Sequence, residues 1–461
     1  SIEFGEVVND WRTGDVVPIY KKGSKSTVEN YRPITLTSVC CKILESIVKD
    51  HIMSYFLQNN LFTRCQYGFL PARSTTLQLL KFLDKLTEAI DLNKVVDVLY
   101  TDLEKAFDKI SHSRLLYKLE QYGVHKKLLS WIENYLKGRT FKVKINDDTS
   151  MLLPVSSGVP QGSVLGPLLF IVYINDIQMA CEDFFLFADD AKFYRAIEGT
   201  DDVSKLQANI NKAMEWFCRW RMSVNLNKCC LLRVGRKKQE VAYKLLDIAG
   251  VSHEIPITNS VSDLGVVIDA GLQFKEHIEK RVNKANSLLG VIARNFKYLS
   301  ESAFVCLYKS LVRSQLEYAT PVWNPYRQGL IKAIEKVQRR ATRLVLSCKG
   351  LSYVERLKKL KLHSLVYRRR RADLILLYDM MSGRLREEHC PAVQLCREVR
   401  TRGHDFKLTT TLSHKDCRKF FFSNRVVADW NSLPGEVVEA TNISMFKSLI
   451  DNYYGDLVFN C

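Results

Sequence analysis

Phe184-Phe185-Leu186-Phe187-Ala188-Asp189-Asp190-Ala191-Lys192-Phe193-Tyr194 sets two adjacent acids between two apolar runs. The pattern predicts a β-hairpin with its carboxylates at the turn. Asp is poorly suited to strand interiors and neighbouring carboxylates repel, so such a pair either faces solvent or holds a divalent cation. Taken alone, Asp-Asp is ordinarily a solvated turn. A second segment changes that balance: the buried-strand pattern Val95-Val96-Asp97-Val98-Leu99-Tyr100 ends at Asp102. If the two segments pair in one sheet, three carboxylates converge on one sheet edge. Hard oxygen ligands of this kind suit Mg²⁺, which leaves coordination positions to water and phosphate. Two such ions support in-line phosphoryl transfer. Asp102 and Asp189 are the expected metal ligands, with Asp190 either a further ligand or a neighbour that orients them.

The 461 residues exceed one ordinary core and imply two or three domains. With 46% hydrophobic residues the chain can bury them. Lysine and arginine number 68 against 50 acids, a formal charge of +18 that suits a polyanionic partner, above all nucleic acid. No apolar stretch is long enough to span a bilayer, so no membrane partner is expected. The chain starts at Ser1 in mid-pattern, as a fragment or processed piece would. Its thirteen scattered cysteines read as reduced intracellular thiols. Cys390, Cys396, His404, His414 and Cys417 have the right atoms for zinc, but their spacing fits no familiar pattern.

Periodicity predicts helices over Val39 to Leu57, with Ile43, Ile47, Ile52 and Phe56 on its apolar side, and over Thr75 to Asp91. Two more end near Gly123 and Gly138, and another begins at Pro167 after a Gly- and Pro-rich loop, Ser157 to Gly166. The order of strands and helices implies an α+β fold with an antiparallel sheet. Beyond residue 274 helical patterns dominate: Glu276 to Phe296, Ser302 to Tyr318, Leu330 to Leu346 and Val354 to Met381. The expected division is residues 1–274, a basic helical part 275–383, and a less readable 384–461.

Asp102-Leu103-Glu104-Lys105-Ala106-Phe107-Asp108, Gly158-Val159-Pro160-Gln161-Gly162-Ser163-Val164-Leu165-Gly166-Pro167 and Phe187-Ala188-Asp189-Asp190 follow one another at spacings that resemble the reverse transcriptases of non-LTR (LINE-type) retrotransposons. The texture is most similar to the jockey and chicken-repeat branch. Val17-Pro18-Ile19-Tyr20-Lys21-Lys22-Gly23, Asn30-Tyr31-Arg32-Pro33-Ile34 and Gln66-Tyr67-Gly68-Phe69 add to the likeness, as do Leu264-Gly265-Val266, Gln338-Arg339-Arg340-Ala341 and Asp429-Trp430-Asn431-Ser432-Leu433-Pro434. Ala191 departs from it, since the family often has threonine there.

The resemblance implies a right-hand polymerase with fingers and palm in 1–274 and a thumb in 275–383. It implies an RNA-directed DNA polymerase that extends a DNA 3′-OH, at a nicked target, along an RNA template, using dNTPs and two Mg²⁺ ions, with Mn²⁺ a substitute. Phe107 falls at the sugar gate, where a bulky ring excludes a ribose 2′-OH. Gln161 and Gly162 fall under the incoming nucleotide. Lys22 and Arg32 match triphosphate-binding positions, where cationic donors are apt. Lys228 matches a general acid for the leaving pyrophosphate, so it joins Asp102, Asp189 and Asp190 as catalytic. Leu264 and Gly265 match a primer-gripping hairpin. Asp108 is expected to make a structural hydrogen bond rather than bind metal.

Lys336, Arg339, Arg340 and Arg343 recur at helical steps opposite Ile334, Val337, Ala341, Leu344 and Val345, a stripe suited to primer–template phosphates. Arg368-Arg369-Arg370-Arg371 is expected to extend that surface. Work in the nucleus, at the site of integration, follows from the resemblance. The alternative is a catalytically silent remnant that keeps the polymerase shell and binds nucleic acid; an intron maturase fits less well.

Overall fold

The computed structural model describes residues 1–235, 241–247, 250–296, 298–396 and 403–460. Its central sheet has the order Ile257–Thr258, Cys230–Val234, Val95–Thr101, Asp190–Ile197, Phe184–Phe187. Val95–Thr101 runs antiparallel to both of its neighbours. Its alternation splits the core in two. Val96 and Val98 face the helix Thr75–Asp91 and the helices after residue 274, while Leu99 faces Gly166–Ile174 and Thr200–Arg219. A strand buried on both faces reads as a nearly continuous apolar run, as this one does.

A second sheet has the order Tyr31–Leu36, Thr13–Tyr20, Thr140–Ile145. Thr13–Tyr20 and Thr140–Ile145 pair in parallel, so this second sheet is mixed, while the expected antiparallel arrangement holds for Val95–Thr101 and both its neighbours. The helix predicted from Val39 spans Val39–Gln58. Ile52 and Phe56 are buried, but Ile43 and Ile47 are about 60% exposed. The inward face carries Glu45 instead, whose carboxylate accepts hydrogen bonds from Val164 N (2.7 Å) and Leu165 N (3.0 Å). A charged residue on the buried side breaks the apolar periodicity from which that face was inferred.

Helices Lys275–Asn295, Gln328–Ala341 and Leu365–Met381 form the basic helical part. The single helix expected over Val354 to Met381 is two, Tyr353–Lys359 and Leu365–Met381. Lys361 takes a left-handed conformation (φ 51°) between them, and Ser364 caps the second by accepting from Tyr367 N. Periodicity passes unbroken through such a short kink because neither glycine nor proline marks it.

The chain from Cys390 to Val458 shares one hydrophobic core with these helices and with Thr75–Asp91. Arg418 Nη1 reaches Asp84 Oδ1 (2.6 Å), Ala392 N donates to Asp84 Oδ2 (3.0 Å), and His414 N and Lys415 N both donate to Asp91 Oδ1 (2.7 Å). Among the described residues no cysteine is in a disulfide, and no group of three or more His, Cys, Asp or Glu is already closed up as a metal site, neither the 390–417 group nor Asp102, Asp189 and Asp190. No described helix is long and apolar enough to cross a membrane.

Candidate active site

Thr101 pairs with Ala191, and one step further along the same register Asp102 comes opposite Asp190. Phe187 pairs with Asp190, so Ala188 and Asp189 form the hairpin turn. Three acids distant in sequence thus meet at one sheet edge. Their charges are felt: Asp189 is raised above its ordinary value by burial and then by Asp102. Asp190 is pushed up to about 6 by desolvation, then by Asp189, Asp263 and Asp102. Asp190 touches solvent, but it lies on a cleft floor where protein replaces much of the surrounding water. Such a cluster is relieved by a cation.

The donor set, all carboxylate oxygen at a solvent-reached edge, suits a hard divalent ion, with water and phosphate completing its shell. Lys228 Nζ lies 2.6 Å from Asp102 Oδ2. Asn225 N donates to Asp102 O (2.8 Å), tying the segment that carries Lys228 to the strand end.

A cavity of about 190 Å³ opens beside Asp102, Asp190 and Lys228 and reaches Lys192, Asp263 and Leu264. Lys192, two residues after Asp190 on the same strand face, forms a buried ion pair with Asp263 and sits 4.3 Å from the Phe82 ring centre. Asp263 ends the first strand of the hairpin Ser260–Asp263/Val266–Asp269, whose tip is Leu264 (φ 44°) and Gly265 (φ 82°). Tyr318 Oη donates to Leu264 O (2.8 Å) and Arg281 to Gly265 O (2.6 Å), so the helical part holds the hairpin tip beside the acids. Nothing in the sequence marked Lys192 and Asp263 as a pair, because they lie far apart along the chain.

On the other side, Arg32 and Lys21 both act on Asp189, lowering its pKa against the effect of burial. Ile19 pairs with Arg32, so Lys21 falls on Arg32's side of the strand pair while Lys22 lies exposed in the bend that follows. Lys21 is thus a cation acting on Asp189 that the sequence reading did not name; carrying the strand alternation one residue past Tyr20 points to it.

Phe107 is half-buried, stacked on Phe170 (4.6 Å between ring centres) and met edge-on by Phe69 (6.2 Å). Gln161 Nε2 donates to Asp108 Oδ1 (3.1 Å), the structural hydrogen bond expected of Asp108. Thr35 N donates to Gln161 O (2.6 Å). Gly162 has φ 116°, and a Cβ there would lie 2.5 Å from Thr35 O. Only glycine lets this loop dock against the strand that carries Arg32. Glu45 holds the loop's far end through its bonds to Val164 and Leu165.

A model of the reverse transcriptase (RNA-dependent DNA polymerase) family matches residues 19–299, which include every acid described above. The chain belongs to the reverse transcriptase family. Its curated relatives include the probable RNA-directed DNA polymerase from transposon X-element of Drosophila melanogaster, 27% identical over 73% of this chain. The RNA-directed DNA polymerase from mobile element jockey of Drosophila funebris is 28% identical over 72% of the chain. The chain spans 38% and 37% of the lengths of these two relatives. Among solved structures, telomerase from Candida tropicalis is 11% identical, with a TM-score of 0.45, over 96% of this chain and 65% of that one.

The α+β architecture of this reverse transcriptase chain is consistent with a right-hand polymerase fold. Reverse transcriptases generally use divalent metal ions and bind an RNA template. Lys332, Lys336, Arg339, Arg340 and Arg343 are all exposed along one side of the helical part, with Ile334, Val337, Ala341 and Val345 buried behind them.

The run Arg368–Arg371 does not extend that stripe. Arg368 binds Glu317, Arg369 is buried against Asn324, Arg370 meets Asp429 (3.0 Å), and Arg371 makes a bidentate pair with Asp451 (2.7 and 2.9 Å). Four consecutive helical residues point in four directions about 100° apart. The helix is packed on several sides, so each arginine meets a different acid or amide.

Proposed function

We propose that this chain is an RNA-directed DNA polymerase of a non-LTR retrotransposon, adding dNTPs to a DNA 3′-OH along an RNA template. The observation that carries the reading is the meeting of Asp102 with the Asp189-Asp190 turn at the floor of a cleft flanked by cations. Asp102 and Asp189, with Asp190 beside them, would hold two Mg²⁺ ions, or Mn²⁺ in their place. When bound, these ions acidify the attacking hydroxyl and neutralise the leaving pyrophosphate.

The remaining work falls to the protein's own side chains. Arg32 and Lys21, with Lys22 nearby, draw the triphosphate toward the acids. Gln161 and Gly162 form the floor under the base pair, and Phe107 closes the sugar side. Leu264 and Gly265 hold the primer end near the acids, while Lys336, Arg339, Arg340 and Arg343 follow the phosphates of an A-form hybrid, recognised by shape and backbone. In the reaction the primer 3′-OH gives up its proton to water, its O3′ bonds to the α-phosphorus, the bond from that phosphorus to the β-phosphate bridge breaks, and Lys228 donates a proton to the departing pyrophosphate.

We assign 1–274 to fingers and palm and 275–383 to the thumb, and place the work in the nucleus at the DNA being extended. A silent remnant is the poorer reading, since Asp102, Asp189, Asp190, Phe107 and Gln161 are all retained in the sequence.

Primer extension on poly(rA)/oligo(dT) tests the proposal. Wild-type protein should incorporate dTTP in the presence of Mg²⁺. Asp189→Asn should abolish incorporation and keep hybrid binding within about twofold, because the acid acts on the reaction rather than on backbone contacts. Incorporation by Asp189→Asn at the wild-type rate would refute the assignment.

A further inference from the structure

Gln66, 1% exposed, holds the turn that carries Asp189. Ala188 takes a left-handed conformation (φ 54°), which crowds its Cβ against the backbone and is unfavourable for alanine. The Gln66 carboxamide compensates on both sides of that residue. Its Oε1 accepts from Ala188 N (2.9 Å) and its Nε2 donates to Ala188 O (3.3 Å). Oε1 also accepts from Gly68 N (2.8 Å), which fixes the amide's own orientation.

The flanking backbone forms a short parallel bridge to the hairpin edge: Tyr67 N donates to Leu186 O (2.8 Å) and Leu186 N to Cys65 O (2.9 Å). Arg73 grips the same segment by donating to Gln66 O and to Thr63 O (2.8 Å). At Gly68 the approach is so close that a Cβ would lie 2.4 Å from Ala188 N.

We infer that Gln66 is a positioning residue of the polymerase reaction: its amide clamps the backbone of Ala188 and so directs the Asp189 carboxylate toward Asp102. The inference rests on the catalytic reading of Asp189. A side chain that only filled the sheet edge would need no hydrogen bonds to both backbone groups of one strained residue. The same segment ends in Phe69, whose ring meets Phe107, so the clamp lies between the acid turn and the sugar gate.

The experiment compares Gln66→Met, Gln66→Glu and Gly68→Ala with wild type and with Asp189→Asn. Four quantities are read: single-turnover extension rate, Mn²⁺ affinity by electron paramagnetic resonance, hybrid affinity by fluorescence anisotropy, and folded fraction by circular dichroism. Gln66→Met keeps the volume and loses all three hydrogen bonds. It should slow extension by about 30- to 100-fold, the order expected when a reacting group is displaced by about 1 Å. Mn²⁺ affinity should fall with it, while hybrid affinity stays within about twofold. Gln66→Glu keeps an acceptor for both N–H groups and should recover at least about tenfold of that loss.

Gly68→Ala changes no polar side chain and should reproduce the Gln66→Met behaviour by pushing the clamp off the turn. It decides the matter if Gln66→Met fails to fold. Wild-type rate and Mn²⁺ affinity in the folded variants would overturn the inference, as would losses that simply track the folded fraction. If Asp189→Asn itself extends normally, the catalytic reading fails; if Asp189→Asn is dead and Gln66→Met normal, the clamp alone fails.

Discussion

Replacing Lys192 by methionine keeps the stem that packs on Phe82 and Tyr100 and removes the charge that faces Asp263. Side-chain exposure is 4% for Lys192 and 7% for Asp263, so neither group can turn to water. Breaking such a pair costs about 3–5 kcal/mol. The variant has one escape, which is to protonate Asp263. An unfolded Asp titrates near pH 3.9, so this escape costs about 1.4 kcal/mol for each pH unit above that value, or about 4 kcal/mol at pH 7 and 1.5 kcal/mol at pH 5.

The folded variant then binds more protons than the unfolded chain, so its stability falls as pH rises through this window. Asp263→Asn leaves the lysine unpaired, and burial already depresses the Lys192 pKa even with its partner present. That variant escapes by losing a proton, so its cost grows as pH falls. The two single variants therefore have opposite pH slopes. The double variant Lys192→Met/Asp263→Asn should follow the wild-type pH profile and lie within about 1–2 kcal/mol of it, since replacing both members of a buried pair is often close to neutral. Urea unfolding without metal at pH 5, 6, 7 and 8, followed by tryptophan fluorescence, measures all of this. Slopes of the same sign, or a single-variant cost under about 1 kcal/mol at pH 7, would refute the buried-pair account.

Three further outcomes are expected. With Asp190 pushed up to about 6, the extension rate at low Mg²⁺ should fall as pH drops through about 6, and tenfold more Mg²⁺ should move that limb to lower pH because proton and cation compete; a limb indifferent to Mg²⁺ would remove Asp190 from the metal site. Phe107→Ala should reduce discrimination against ribonucleotides by about tenfold or more, read as the ratio of kcat/KM for dTTP and UTP, and an unchanged ratio would remove the gate assignment. Replacing both Arg339 and Arg340 by alanine should flatten the salt dependence of hybrid binding by about 1.4–1.8 in log–log slope, whereas Arg371→Met should leave that slope alone and lower stability by about 1–3 kcal/mol.

The acid cluster could be read from the chain because strand pattern, motif order and charge repulsion all point to one sheet edge. The helix Thr75–Asp91 matched its predicted limits because it carries a strong apolar stripe and a serine cap, Ser74. The reading went wrong where a charged residue works inside. Glu45 turned one helix face over, and three of four arginines that look like a phosphate surface, Arg368, Arg369 and Arg371, are drawn in against Glu317, Asn324 and Asp451. Local sequence shows that a residue is charged, but its partner comes from the tertiary fold, here from segments 45 to 80 residues away. Lys21 was not named because the strand ends at Tyr20, and a motif does not say which of the two lysines beyond it acts on Asp189. Gln66 sat in plain view within a matched motif, yet its role depends on a left-handed alanine 122 residues away.

The bonds that Arg418, Ala392, His414 and Lys415 make to Asp84 and Asp91 bear on where this protein can be shortened. Stopping the chain at residue 383 would strip two sequestered carboxylates of every one of those donors and bare Leu374, Leu377 and Tyr378, which the removed segment helps to bury. It would also take away His389, whose carbonyl receives the hydroxyl of Tyr67, the immediate neighbour of Gln66. The tail is therefore a keel: a shortened chain that still carried Asp102, Asp189 and Asp190 would lose its footing.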